Sequence, residues 1–127
     1  MAERFQIVGT EEIPNIILDA ENGIFEITGR SFPENVERLF TPIIEWLKEY
    51  ITDPNPTTDF KFQLEYFNSS SAKFLYDIFL ELKRLDAVKI PVLVEWIYDQ
   101  EDPDLLEAGQ DIASLVDMIF VFVPKSK

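Results

Sequence analysis

The stretch that most constrains this chain is residues 60–66, where Phe60, Phe62, Leu64 and Tyr66 alternate with Lys61, Gln63 and Glu65. Side chains on a β-strand point alternately to opposite faces, so this pattern sets apolar groups on one side and polar groups on the other. A helix cannot satisfy a period of two. A sheet sandwiched between two helical layers would carry continuous apolar strands instead. The alternation therefore predicts a sheet with one covered face and one wet face.

The flanking segments change period. Val36, Leu39, Phe40, Ile43, Ile44, Leu47 and Ile51 recur at helical spacing and predict a helix from about Pro33 to Ile51. Pro33 suits its first turn, Glu34 and Glu37 suit its positive end, and Pro42 should remove one backbone bond and kink it. A second helix is predicted from about Ser70 to Leu85, with Leu75, Ile78, Phe79, Leu82 and Leu85 inward, and a third near Asp104 to Val116. Ile16 to Asp19 and Ile24 to Thr28 read as a hairpin turned at Asn22-Gly23. Residues 90–99 and 119–123 supply two more strands.

The resulting order, β-β-α-β-α-β-α-β, predicts an α/β fold. It would have a mostly parallel mixed sheet, an N-terminal hairpin, right-handed crossovers and helices mainly on one face. Trp46 and Trp96 are expected in the core or on the sheet. No repeat or Gly/Ser-rich linker interrupts the chain, and the Pro-rich stretch Asp53 to Asp59 reads as a loop, so residues 1–127 are read as a single domain.

Composition excludes several functions. The chain has neither histidine nor cysteine, which removes the commonest general base, the commonest zinc ligands and all thiolate chemistry. Its 24 acidic and 11 basic residues leave a net charge of −13, which repels phosphate backbones and anionic lipid. Nucleic acid and membrane are therefore not expected partners. No apolar run approaches the roughly 20 residues of a membrane span, and the first residues lack a signal peptide's basic flank and apolar region. The expected location is the cytoplasm.

In parallel α/β sheets, functional loops gather beyond the carboxyl ends of the strands. Three loops follow predicted strands and precede predicted helices, and should meet on one rim. "GRSFPEN" (Gly29 to Asn35) offers the cation Arg30 with Ser31, Glu34 and Asn35 at the helix start. "NSSS" (Asn68 to Ser71) offers three hydroxyls, which read either as a helix cap or as a phosphorylation site beside free first-turn amides. The two readings are compatible. "YDQEDPD" (Tyr98 to Asp104) supplies Asp99, Glu101, Asp102 and Asp104, read as a solvated helix start or as a surface for basic partner residues. Its spacing does not match an EF-hand calcium loop, and a metal-assisted hydrolase on this cluster is the weakest reading.

Taken in order, "GRSFPEN", "LEYFNSSSAK" and "YDQEDPDLLEAGQD" resemble the SiaC family of bacterial regulatory phosphoproteins. The resemblance implies a STAS-like sandwich, of the kind seen in anti-sigma-factor antagonists. It implies a non-enzymatic protein without cofactors, phosphorylated by a Ser/Thr protein kinase and dephosphorylated by a PP2C-type phosphatase. The unmodified form would bind and activate a diguanylate cyclase, raising cyclic di-GMP and favouring biofilm. The residue after the motif's asparagine is the acceptor, which is Ser69 here, with Ser70 as its competitor. Arg30, Glu34, Asn35, Asn68, Ser70, Ser71, Asp99, Glu101, Asp102 and Asp104 are then the candidate partner contacts. The rival circuit is an anti-sigma-factor antagonist acting by partner switching.

Overall fold

The computed structural model describes residues 2–126. One six-stranded sheet contains β1 (Phe5–Ile7), β2 (Asn15–Asp19), β3 (Ile24–Ser31), β4 (Thr58–Phe67), β5 (Val92–Asp99) and β6 (Phe120–Lys125). Their order in space is their order in the chain. β1, β2 and β3 are antiparallel, whereas β3 to β6 are all parallel. The crossovers are α1 (Val36–Thr52), α2 (Ser69–Lys83), which runs into a 3-10 turn at Arg84–Val88, and α3 (Pro103–Val116). Each crossover steps to the adjacent strand in the same direction, so a common handedness lays all three helices on one face. The one-sided α/β architecture read from the alternation in β4 is the architecture found.

The covered face is aromatic. Phe25, Phe60, Phe62, Trp96 and Phe120 from the sheet meet Phe40, Ile43, Leu47, Leu75, Ile78, Phe79 and Leu82 from the helices, all buried. Ring contacts run from Phe60 to Phe62 at 4.6 Å, on to Phe79 at 4.5 Å and to Phe120 at 4.7 Å. Each such side chain contributes about 1.5–3 kcal/mol by leaving water, and this stripe holds the two layers together. α3 approaches closely because Gly109 lies against the Trp96 indole; a Cβ there would sit 2.5 Å from Nε1. The same Nε1 donates to the Leu105 carbonyl at 3.0 Å.

The open face carries charge. Glu26, Lys61 and Glu95 are consecutive register partners on β3, β4 and β5, a cross-strand ladder of alternating sign. Desolvation, then a hydrogen bond shared with Asp59 and its negative charge, pushes the Glu95 carboxyl above the ordinary 4.5. At the β2–β3 turn, Gly23 takes φ 69°, as the Asn22-Gly23 pair suggests, whereas Asn22 keeps a negative φ. Asp19 accepts from the Asn22 side chain at 2.7 Å, from the Asn22 backbone at 3.1 Å and from Arg4 Nε at 3.2 Å. The Asn22 amide foremost holds the Asp19 carboxyl below its ordinary 3.8, against the opposing pull of burial. That stabilisation is present above 3.8 and is lost as pH falls through the lowered folded-state value.

Four expectations need correction. The sheet has an additional three-residue edge strand, β1, too short to give a period. α1 begins at Val36 because Asn35 caps it, so Pro33 and Glu34 lie before the helix and not in its first turn. The second helix is α only to Lys83, and its last residues tighten into the 3-10 turn. Tyr66 does not continue the inward row. A register irregularity between Gly29 and Arg30 breaks the alternation, leaving Tyr66 47% exposed and sending Phe67 against Trp96 at 6.0 Å.

A candidate docking rim

The three motif loops lie at the same side of the sheet, since β3, β4 and β5 are parallel and all end there. The first two are tied together through Ser31. Its carbonyl accepts from the Asn68 backbone N–H at 3.0 Å and from the Ser71 hydroxyl at 3.1 Å. The Ser31 and Ser71 hydroxyls lie 2.7 Å apart, and both residues are fully buried. The Phe32 N–H donates to the Glu12 carbonyl at 2.8 Å, which adds the β1–β2 loop to the same junction.

The second and third loops are separated by a split in the sheet. The β4–β5 ladder ends at Phe62 and Trp96, although β4 runs on to Phe67 and β5 to Asp99. A sheet whose strand order never reverses has no topological switch point, so the crevice arises from this divergence. A cleft of about 410 Å³ opens there, bordered by Arg30, Gln63, Glu65, Tyr98, Asp102 and Lys125. The Arg30 guanidinium sits 5.5 Å from the Phe32 ring centroid and 5.8 Å from that of Tyr66. Those two rings pack edge to face at 5.9 Å. The flipped Tyr66 thus builds a platform that holds the cation at the cleft mouth.

Several candidate residues have structural work at helix starts. Asn35 accepts from the Arg38 N–H at 3.0 Å, Asn68 from Ser71 at 2.9 Å and Asp102 from Leu105 at 3.1 Å. Asp99 accepts from the Glu101 N–H at 2.9 Å and shapes the turn between β5 and α3. Glu34, Glu101 and Asp104 are exposed on the rim, as are Ser69 and Ser70 at the first two positions of α2. Ser71 is the exception. It lies one turn before Leu75 on the inward side of α2, sealed against Ser31, and cannot touch a partner in this state. It is withdrawn from the docking contacts. Arg30 lines the cleft, and Ser69 does not.

Gln63, Glu65, Tyr66, Tyr98 and Lys125 join the rim without having been singled out from the sequence. Among the described residues, no group of three or more acidic side chains is placed to hold a metal ion. Among these residues, too, no helix is long and apolar enough to cross a membrane.

The class of structure is a one-sided α/β fold with a capped hydroxyl run and a charged cleft on one rim. The chain belongs to the SiaC family: residues 7–125 match the model of the SiaC family regulatory phosphoproteins. Apo-SiaC from Pseudomonas aeruginosa is 28% identical, superposes with a TM-score of 0.85, and the match covers 98% of this chain and 99% of that one. SiaC in the crystal structure with the diguanylate cyclase SiaD, which it activates, is also 28% identical, with a TM-score of 0.86 over 97% and 99% of the two chains. An uncharacterised protein of Pseudomonas aeruginosa strain UCBPP-PA14 is 30% identical over 105 residues, 83% of each chain.

Proposed function

We propose that this chain is a non-enzymatic cytoplasmic switch, phosphorylated on Ser69, whose unmodified form binds and activates a diguanylate cyclase. Its output would be cyclic di-GMP and, through it, biofilm formation. A Ser/Thr kinase and a PP2C-type phosphatase would set the balance between the two forms.

One observation carries the reading: Ser69 is exposed at the first position of α2, on the same rim as the Arg30 cleft. The neighbouring Asn68 cap and buried Ser71 leave that hydroxyl free of the capping bonds. The relative SiaC is a cyclase activator, which supports the same partner class here. A phosphoryl group brings about 1.5–2 negative charges and three acceptor oxygens. On a docking rim, like-charge juxtaposition costs several kcal/mol, enough to release a partner without refolding the domain.

The test uses the purified cognate kinase with ATP, followed by mapping of the labelled peptide. Label should appear on Ser69, be lost in Ser69→Ala, and abolish stimulation of the cyclase as it accumulates. Undiminished labelling of Ser69→Ala would refute the acceptor. Equal stimulation by modified and unmodified protein would refute the switch.

A further inference from the structure

The cleft between β4 and β5 holds cations that the fold itself does not use. Arg4, Lys48, Lys83 and Arg84 pair with carboxylates of their own chain. Arg30 and Lys125, which border the cleft from β3 and β6, pair with none among the described residues. Both are exposed, yet Arg30 is held in place by the Phe32 and Tyr66 rings at 5.5 and 5.8 Å. A guanidinium set on two rings loses little freedom when it binds, and its N–H fork matches the two oxygens of a carboxylate.

Three carboxylates share the lining without neutralising these cations. Asp102 accepts from the Leu105 N–H at 3.1 Å and Asp99 from the Glu101 N–H at 2.9 Å, so both are engaged at the start of α3, whose positive end they serve. Glu65 is the residue that the β3–β4 register passes over, between Leu64 and Tyr66. It is exposed and ion-paired with neither cation. Gln63 and Tyr98 add neutral donors, and neither side chain is hydrogen-bonded among the described residues.

The switch proposed for Ser69 sets the sign of what lies opposite the rim. A phosphoryl group drives a partner off by charge only where the facing surface is acidic; a basic surface would be held more tightly. An acidic surface approaching a chain of net charge −13 needs local cations to meet, and the cleft supplies two on the rim that carries Ser69. Resting on that switch, we infer that the cleft is the receptor for an acidic side chain, aspartate or glutamate, of the docked cyclase. Arg30 is the main partner of its carboxylate, and Lys125 lends a second positive charge from the β6 side. The acidic surface around that side chain is what a phosphate on Ser69 repels.

Titration of the full chain into its purified cognate diguanylate cyclase, with cyclic di-GMP production as the readout, tests the assignment. Arg30→Gln, shown by urea unfolding to be folded, should raise the concentration for half-maximal stimulation about five- to tenfold, between the effects expected of exposed and buried pairs. Lys125→Gln should raise it less, and Arg30→Lys should recover part of the loss. Glu65→Gln removes a negative charge from the same lining and should lower it. A Glu65→Gln protein that stimulates more weakly than wild type means that a cationic group docks here, and overturns the inference. So does an Arg30→Gln protein that stimulates as well as wild type. If the Arg30 Nε–H resonance of wild type then shifts on titration with inorganic phosphate, the cleft serves a free oxyanion in place of a partner's side chain. Wild type that stimulates no cyclase refutes the function proposed above and this inference with it, whereas equal stimulation by wild type and Arg30→Gln refutes the role of the cleft alone.

Discussion

Replacing Gly109 by alanine tests how α3 is seated beneath the rim. An added Cβ would lie 2.5 Å from Trp96 Nε1, 2.6 Å from Cε2 and 2.7 Å from Cδ1, whereas ordinary contact begins near 3.4 Å. Either the indole or the helix must move by about 0.9 Å, the difference between those limits. The indole has little freedom, because Phe62, Phe67 and Phe120 surround it at ring distances of 6.2, 6.0 and 6.2 Å. Moving the helix stretches the Trp96–Leu105 bond, worth about 1 kcal/mol, and adds overpacking of about 1–3 kcal/mol. Against this, alanine gains about 1 kcal/mol over glycine in a helix interior. The net expectation is destabilisation by about 1–3 kcal/mol. For a chain of this size that corresponds to roughly 3–6 °C per kcal/mol in Tm.

Urea unfolding followed by tryptophan fluorescence gives the free energy directly, with Ser114→Ala on the exposed side of the same helix as a control expected within about 0.5 kcal/mol. A Gly109→Ala protein as stable as wild type, or more so, would show that the indole is not clamped. The packing account of α3 would then fail.

Two further outcomes follow from the same geometry. Ser71→Ala should cost about 1–3 kcal/mol in urea unfolding, because it leaves the buried Ser31 hydroxyl without its partner; a loss near zero would mean Ser31 finds another acceptor. Glu95→Gln should stabilise the protein at neutral pH, where an ionised Glu95 is disfavoured by desolvation and by Asp59. The gain should shrink as pH falls through the raised folded-state value toward the ordinary 4.5, since the native carboxyl then takes up its proton. Urea midpoints measured across that range check the sign, and a gain that grows on acidification would contradict it.

The legible parts of the fold were those in which a single periodicity holds for two turns or more. β4 announced a one-sided sheet because Lys61, Gln63 and Glu65 could only face water. The apolar rows in α1 and α2 announced crossovers. What escaped was local phase. Tyr66 and Phe67 are both aromatic, so composition gives no sign of which one continues the inward row, and the register irregularity opposite them decides it. The cleft depends on that irregularity and on the early end of the β4–β5 ladder, neither of which leaves a compositional trace. Ser71 is a different case, since its signal was present. It stands four residues before Leu75, on the same helical stripe as Ile78, Phe79 and Leu82, and that spacing alone argues for burial. Counting Ser71 among the partner contacts overlooks the turn of the helix beneath it.

Because strand order in space repeats strand order in the chain, assembly need never wait for a later segment. As synthesis proceeds, β3 finds β2 already made, β4 finds β3, and so on to β6, each step closing a loop only one crossover long. Topologies that insert a late strand between earlier ones must hold a sticky gap open, and this one does not. Growth along a single direction also means that the newest margin is always the one with unpaired amides. A folding defect in this protein should therefore show itself as stalled addition at the β6 side, with the hairpin end already formed.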